Sequence, residues 1–280
     1  VNQAPSEKRA LARGGMRAYQ AVKPITPPDR RSLPPIAYGH TLHIDSSSLD
    51  NRSAPNLATH FPAENARFYI GVDGATGNPM AHALIFGPAR TDGLAILMRE
   101  HVARNGFLPS LIFIDRGTEN TSKWFRKFCE ETGISWEYSP TGGSRYNSPA
   151  ENTIGRVNSQ FAHKLTGSTK PDQFGRAVDG KFKSRRNARI QFSVLAQRFA
   201  TFLYNDIANC PNDENVSPLE LALELRAFGE FTGKPASLDA AFLIVTSVPT
   251  DTTPRIERGY VRTSNGKFSS IEFQNASKNV

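Results

Sequence analysis

The chain contains very little cysteine. Only Cys129 and Cys210 are present among its 280 residues, and neither belongs to a Cys-x-x-Cys pair. Clustered cysteines are what a cysteine-based zinc site requires, and persistent disulfides belong to oxidising compartments. The cysteine content therefore argues against a zinc site of this kind and indicates a reduced, intracellular protein.

Long apolar runs are also missing. No stretch approaches the ~20 apolar residues needed to span a bilayer, and the N-terminus has no apolar signal-peptide core. We therefore expect no membrane partner and a cytoplasmic location. The chain begins with Val1 rather than Met, which we interpret as the start of a fragment of a longer protein.

Positive charge is abundant but unevenly distributed. The net charge is +8; residues 1–40 carry 7 basic and 2 acidic side chains, residues 152–190 carry 9 and 2, and residues 191–254 carry 3 and 8. The acidic-leaning segments are also the apolar ones, which look folded. This pattern suits a protein that holds a polyanion such as nucleic acid around a compact core. The alternative is a protein with solvated basic loops.

Hydrophobic periodicity predicts an α/β core. Five strands are indicated by alternation or by short apolar runs, in "YGHTLHID", "RFYIGVD", "MAHALIF", "LIFID" and "ISWEY". Three helices are indicated by "DGLAILMREHVARNG", "TSKWFRKFCEETG" and "PAENTIGRVNSQFAHKL". We assign Trp124, Phe125 and Phe128 of the second helix to the core. The order β-β-β-α-β-α-β-α predicts a mixed five-stranded sheet with flanking helices.

The pattern divides the chain into three parts. Residues 1–37 are basic and rich in proline, which predicts an extended arm or linker. Residues 38–228 form the predicted core, which ends in two amphipathic helices and contains a basic loop at 167–191. Residues 229–280 show short strands and a hairpin with a two-residue turn at Asn265-Gly266, which predicts a small β-barrel domain.

Two of the apolar strands end in the same dipeptide, Ile44-Asp45 and Ile114-Asp115. A single Asp at a strand end is commonplace because Asp favours turns. Two of them on adjacent strands, joined by a third carboxylate from a nearby helix, form an all-oxygen site suited to Mg²⁺ or Mn²⁺.

The third carboxylate is chosen between two similar tetrapeptides, Ser148-Pro149-Ala150-Glu151 and Ser217-Pro218-Leu219-Glu220. Both fit the signature of a helix start, with a Ser cap, a Pro at the first helical position and a Glu at the third. Glu151 lies at the rim of its helix's apolar stripe, about 75° from the centre, whereas Glu220 has no preceding strand that ends in Asp. We therefore select Glu151 as the third ligand and assign Glu220 a capping role.

The spacing of these acids resembles a known family. Asp45 precedes Asp115 by 70 residues, and 35 residues separate Asp115 from Glu151. This resembles the Asp-Asp-35-Glu catalytic core of DDE transposases and retroviral integrases over roughly residues 38–166. "FIDRGTEN" and "SRYNSPAENTIGRVN" are similar to the segments that carry the family's second and third acids. "FLYNDIANCPNDENVSPLELALE" and the strand-rich tail further resemble bacteriophage Mu-type transposases, whereas the zinc module of retroviral integrases is lacking.

The resemblance implies an RNase H-like fold and a DNA transposase or integrase activity. Asp45, Asp115 and Glu151 then hold two divalent ions, Mg²⁺ or Mn²⁺, for phosphoryl transfer: water cuts the element's end, and the freed 3′-hydroxyl attacks target DNA. The implied partners are transposon-end and target DNA, further copies of the chain, and an ATPase for target selection, in the nucleoid of a bacterium or its phage. We expect the three acids to converge at one sheet edge, with Glu151 displaced by mutual repulsion when DNA is absent.

Basic and amide side chains around this site are the candidate DNA contacts. Each has an ordinary alternative as a solvated or capping residue, and we expect mainly phosphate contacts. The candidates are Asn120, Arg145, Asn147, Arg156, Lys164, Lys181, Lys183, Arg185, Arg186, Arg189, Arg258, Arg262 and Lys267.

Two other functions remain open at this point. One is a DNA-binding assembly subunit with the same fold but no catalysis, which metal-dependent nicking would exclude. The other is an aspartic protease, since "IDSSS" faintly resembles a protease Asp loop. Neither Asp45 nor Asp115 is followed by the Ser/Thr-Gly that such a loop needs, and activity insensitive to EDTA would be required to support it.

Overall fold

The computed structural model describes Ala12 and residues 37–53, 64–139, 147–169 and 187–248, together with three short strands between 255 and 269. For Ser148 and the three terminal strands only the backbone is described. Most of the arm predicted at 1–37 and of the basic loop predicted at 167–191 therefore lies outside the described residues.

The core is a mixed five-stranded sheet, as the sequence predicts. Its strands are β1 (Thr41–Ser53), β2 (Glu64–Asp73), β3 (Pro79–Phe86), β5 (Leu111–Ile114) and β6 (Ser135–Tyr138). The strand order is β3-β2-β1-β5-β6. β1, β2 and β3 pair antiparallel, whereas β5 is parallel to both β1 and β6. This arrangement is the RNase H-like fold that the resemblance implies.

β1 is longer than the sequence indicates. It was expected to end at Asp45, but it continues to Ser53, with Asp45, Ser46, Ser47 and Ser48 all paired to β2. The polar serines can stay in a strand because β2 satisfies their backbone groups, and the buried Leu49 anchors the far end. Asp45 therefore lies inside a strand and not at its end.

Apolar side chains fill both faces of the sheet. One face, which includes Leu42 and Ile44, packs against α1 (Thr91–Asn105) and α2 (Lys123–Thr132). The core assignment of Trp124, Phe125 and Phe128 on α2 is confirmed. Both helices end at a glycine in the left-handed conformation, Gly106 and Gly133, as the pattern predicts for α1.

The opposite face of the sheet is covered by α3 (Ser148–Arg156) and α4 (Phe192–Thr201). α3 continues through a wide π turn at Val157–Phe161 and a 3₁₀ turn at Ala162–Lys164. α4 likewise continues through a π turn at Phe202–Ile207, and α5 (Pro218–Ala227) follows. The third predicted helix and the two amphipathic helices are thus confirmed.

The segment after α5 differs from the expected run of strands. A two-residue strand, β7 (Lys234–Pro235), pairs with β4 (Phe107–Leu108) of the core. The next element is a helix, α6 (Ala240–Val245), whose start is capped by the Asp239 carboxylate. Phe242 of α6 is buried against Phe128. The apolar run is helical here because this cap and a core-facing aromatic outweigh the β preference of Ile244 and Val245.

The last described residues form a three-stranded antiparallel sheet. Its strands are β8 (Arg255–Glu257), β9 (Tyr260–Thr263) and β10 (Gly266–Ser269). The predicted hairpin is confirmed with its turn shifted, because Gly266 pairs with Thr263 inside β10. The β-barrel and the division at 37/38 and 228/229 stay predictions.

None of the helices in the described part of the chain combines the length and apolarity that a bilayer-spanning segment requires.

Candidate active site

Asp45 and Asp115 are brought together by the pairing of β1 with β5. The two strands run parallel, with His43 opposite Phe113. Asp45 lies two residues beyond this pair within β1, and Asp115 directly follows the last residue of β5. The expectation that the strands leading to the two acids are neighbours is confirmed.

Asp115 is held by the turn that follows β5. Its Oδ1 accepts a hydrogen bond from the Gly117 backbone N–H at 3.0 Å and another from the Asn120 side-chain amide. A Cβ on Gly117 would lie 2.9 Å from Glu119 Oε2 and 3.1 Å from Asn120 Nδ2, so a larger residue there would require these side-chain ends to shift. Both bonds use the same oxygen, which leaves Oδ2 without a hydrogen bond from the described residues.

Glu151 lies in the first turn of α3 and is half-buried. No hydrogen bond or ion pair joins its carboxylate to another described residue, and burial raises its pKa above the ordinary value. The residue that caps α3 is Asn147, whose side chain makes no capping hydrogen bond. The predicted Ser148 cap is therefore wrong, because α3 already includes Ser148.

Glu220 behaves differently, although its local sequence is so similar. Ser217 accepts a hydrogen bond from the Glu220 backbone N–H at 3.2 Å, and Glu220 Oε2 accepts one from the Ser217 backbone N–H at 2.8 Å. The pKa of Glu220 is lowered first by the bond from the Ser217 backbone N–H and then by the Ser217 side chain. The predicted capping role of Glu220 is confirmed. The carboxylate of Glu151 makes no such capping hydrogen bond among the described residues.

The electrostatics of Asp45 show that the acids share one region. The pKa of Asp45 is raised to about 6, mainly by burial and also by the negative charges of Asp115, Glu151 and Glu119, while a hydrogen bond from the Ser46 backbone N–H opposes the rise. Glu119, which is only 8% exposed, is a fourth acid that the sequence analysis did not select. Its position four residues after Asp115, in the same turn, is the signal that marks it.

The donor chemistry of this cluster fits a hard divalent cation. All of its candidate ligands are carboxylate oxygens, which Mg²⁺ and Mn²⁺ prefer, and their mutual repulsion is what a bound cation offsets. Within the described residues, however, no three His, Cys, Asp or Glu side chains lie close enough together to hold one ion. The acids are neighbours, but the expected convergence on one point is not present.

The structure corrects two candidate DNA contacts. Asn120 and Asn147 are 5% and 3% exposed. Asn120 donates to Asp115, and Asn147 binds two groups of β1, its Nδ2 donating to Ile44 O and its Oδ1 contacting His43 Nδ1, each at 3.0 Å. Their amides are therefore turned toward the protein and are not available as surface DNA contacts.

Three of the basic candidates, Arg156, Lys164 and Arg189, have described side chains. Lys164 and Arg189 are exposed, and Arg156 is half-buried on α3. The backbones of Arg262 and Lys267 are paired in the β9–β10 register. The remaining candidates, Arg145, Lys181, Lys183, Arg185, Arg186 and Arg258, lie outside the described residues.

Fold and site together define an RNase H-like α/β domain with a cluster of carboxylates at the centre of its sheet. Residues 98–167 match the family model for the TnsB C-terminal domain, a span that includes Asp115 and Glu151. This match supports the resemblance to DDE transposases and integrases, whereas the closer likeness to Mu-type enzymes stays a prediction.

Two solved structures are similar to the chain. The catalytic core domain of BIV integrase is 12% identical with a TM-score of 0.40, over 68% of this chain and 98% of that one. The simian T-cell lymphotropic virus intasome in complex with PP2A regulatory subunit B56 gamma is 14% identical with a TM-score of 0.43, over 67% of this chain and 55% of that one. No curated protein sequence is significantly similar.

Proposed function

We propose that this chain is the catalytic part of a DNA transposase or integrase, which cuts and joins DNA strands by phosphoryl transfer. The observation that carries the proposal is that Asp45 lies on β1 and Asp115 directly follows the neighbouring parallel strand β5, with Asp115 and Glu151 both acting electrostatically on Asp45. The match of residues 98–167 to the TnsB C-terminal domain supports the same conclusion.

In this proposal Asp45, Asp115 and Glu151 hold two divalent ions, Mg²⁺ or Mn²⁺. When bound, such ions stabilise charge on the attacking and leaving oxygens and lower the pKa of the nucleophile. The chain's own contribution is to orient the carboxylates. Asn120 and Gly117 do this for Asp115 by holding Oδ1 and leaving Oδ2 free.

The proposed reaction has two steps that use the same site. A water oxygen attacks the phosphodiester at the element's end, the P–O3′ bond breaks, and a 3′-hydroxyl is released. That hydroxyl then attacks a phosphodiester of target DNA, whose own 3′ oxygen leaves. The protein supplies no covalent nucleophile, so its acids need only position the reactants and balance charge.

The proposed partners are the element's end, target DNA and further copies of this chain, with an ATPase that selects the target. Exposed basic residues such as Lys164 and Arg189 supply phosphate contacts, together with the basic segments at 1–37, 167–191 and 255–280. Contacts of this type give affinity that is independent of base sequence. The proposed location is the cytoplasm of a bacterium, in association with the nucleoid, and the proposed source is a bacterium or a phage.

The test is cleavage and joining of DNA that carries the ends flanking this gene in its genome. Wild-type protein should nick at the ends and join them to target DNA with Mg²⁺ or Mn²⁺, and EDTA should abolish both reactions. Asp115→Asn should lose at least ~10³-fold activity, because a charged ligand of the phosphoryl-transfer site is removed. The matched control is Asp92→Asn, an exposed acid on α1, which should remain active.

A second candidate function is that of a DNA-binding assembly subunit without catalysis. The observation that favours it is that no three described metal-ligating side chains lie close enough together to hold one ion. This function predicts end binding and assembly with no nicking in either metal. Nicking that depends on Asp115 excludes it.

A further inference from the structure

The start of α3 carries an unusual amide. Asn147 occupies the N-cap position, where Asn normally accepts a hydrogen bond from the helix backbone, yet its side chain makes no such bond. Its amide instead lies across to β1, where Nδ2 donates to Ile44 O and Oδ1 accepts from His43 Nδ1. The start of α3 therefore lacks a side-chain cap, and Asn147 instead joins it to β1, the strand that carries Asp45.

The acceptor of this bond is informative. The Ile44 carbonyl belongs to the same peptide group as the Asp45 N–H, so the bond fixes the peptide plane from which Asp45 extends. Asn147 also precedes Glu151 by four positions, about one helical turn, so the two side chains leave α3 on the same face. One amide thus connects the backbone of the first acid with the helix of the third.

The amide is specific for this place. Asn147 must donate to a carbonyl and accept from a ring N–H at the same time, which requires a side-chain amide of this length. His43 is 2% exposed, burial lowers its pKa, and its ring packs on Phe113 at 5.2 Å between centroids. Because the Asn147 amide oxygen can only accept, the His43 ring donates from Nδ1 in this contact.

A second buried amide ties β1 to the other end of the same helical segment. Asn51 is fully buried, and its Nδ2 donates to Thr166 O at 3.0 Å. Asp50 adds contacts to Asn158 and His163 nearby. The segment from 147 to 166 is thus fastened to β1 at both ends, but only the Asn147 end lies beside the acids.

We propose that Asn147 is a positioning residue that holds Glu151 against Asp45, whereas Asn51 only stabilises the fold. The catalytic consequence rests on the proposed function above. The geometric consequence does not, because it concerns two carboxylates whose repulsion exists whether or not the protein cuts DNA.

The geometric consequence is tested by a double-mutant cycle at pH 8 without metal or DNA. Glu151→Gln in the wild-type background should raise the thermal midpoint by about 2 °C, because a repelling charge is removed. In the Asn147→Ala background the rise should fall to less than half, because α3 is free to move away from Asp45. In the matched Asn51→Ala background the rise should be unchanged.

Asn147→Ser repeats the cycle if Asn147→Ala does not fold. An equal rise in all three backgrounds overturns the proposal. No rise in the wild type also overturns it, because Glu151 is then not held against Asp45.

The catalytic consequence is tested by nicking kinetics below all the thermal midpoints. Asn147→Ala should lower kcat at least tenfold with little change in KM for DNA, and Asn51→Ala should stay within twofold of wild type. Equal losses from the two variants overturn the positioning role. An inactive wild type that still passes the double-mutant cycle refutes the proposed function and leaves the positioning of Glu151 supported.

Discussion

The carboxyl group of Asp45 lies within the field of Glu151, although the two residues belong to a strand and a helix far apart in sequence. With Asp115 and Glu119 acting on the same group, negative charge is concentrated around a half-buried carboxylate. This charge lowers the free energy of unfolding when no cation is bound. The effect of the acids on one another can therefore be measured by unfolding experiments without DNA.

The first prediction concerns this cost. The pKa of Asp45 is raised from 3.8 to about 6. The cost that ionised Asp45 imposes on the folded state is therefore absent below pH 3.8, grows between pH 3.8 and 6, and is complete above pH 6. Asp45→Asn should therefore raise the free energy of unfolding by up to about 3 kcal/mol at pH 8 and by clearly less at pH 5. Urea unfolding at the two pH values measures this. The exposed Asp92→Asn is the control, and a gain from Asp45→Asn that is equal at both pH values contradicts the prediction.

The second prediction separates the two Ser-Pro-x-Glu segments. Glu151→Gln removes a charge and a metal-binding oxygen, so end cleavage and strand transfer should be nearly abolished while DNA binding is kept. Glu220→Gln can still accept the Ser217 N–H bond, so activity should stay near wild type and stability should change by well under ~1 kcal/mol. Mg²⁺-dependent end joining at matched folded concentration is the assay. Substantial activity from Glu151→Gln means that the third ligand is another residue.

The third prediction uses the buried histidine of α1. His101 is 1% exposed, and burial lowers its pKa from 6.5 to about 4 against a smaller raising effect of the Phe107 backbone. As pH falls, His101 is protonated in the unfolded chain before it is protonated in the folded protein. The free energy of unfolding should therefore decrease between pH 6.5 and pH 4, by about 3 kcal/mol. His101→Leu should flatten this acid limb in urea unfolding between pH 7 and pH 4.5. A limb of unchanged slope would assign the loss to other groups, such as His82, whose pKa is also lowered to about 4.

The fourth prediction concerns the basic segments. Phosphate contacts release counterions, so the logarithm of DNA affinity should fall with the logarithm of salt concentration by about 0.9 per contact. Charge reversal at Lys183, Arg185 and Arg186 together should flatten that slope. Lys127→Glu on α2, where the side chain is 72% exposed, is the control and should leave the slope unchanged. If the triple variant keeps the wild-type slope, this loop does not touch DNA.

Local patterns were sufficient for most of the fold. Alternation, apolar runs and helix-ending glycines located the five main strands and the helices α1 to α5, because these signals depend on neighbours within a few residues. They were not sufficient for α6, where Asp239 and the burial of Phe242 against Phe128 decide the conformation. They also ended β1 too early, because only pairing with β2 keeps three serines in a strand.

The candidate site divides in the same way. The sequence by itself determined which acids to consider, since the ends of the runs at Ile44 and Ile114 and the 35-residue spacing are properties of the chain alone. Only the tertiary structure decided what each polar neighbour does. Asn147 and Asn120 read as surface amides in the sequence, but they are buried against β1 and Asp115. Glu119 joins the acids for the same reason: a side chain's charge environment is set by what packs around it, and those neighbours come from distant parts of the chain.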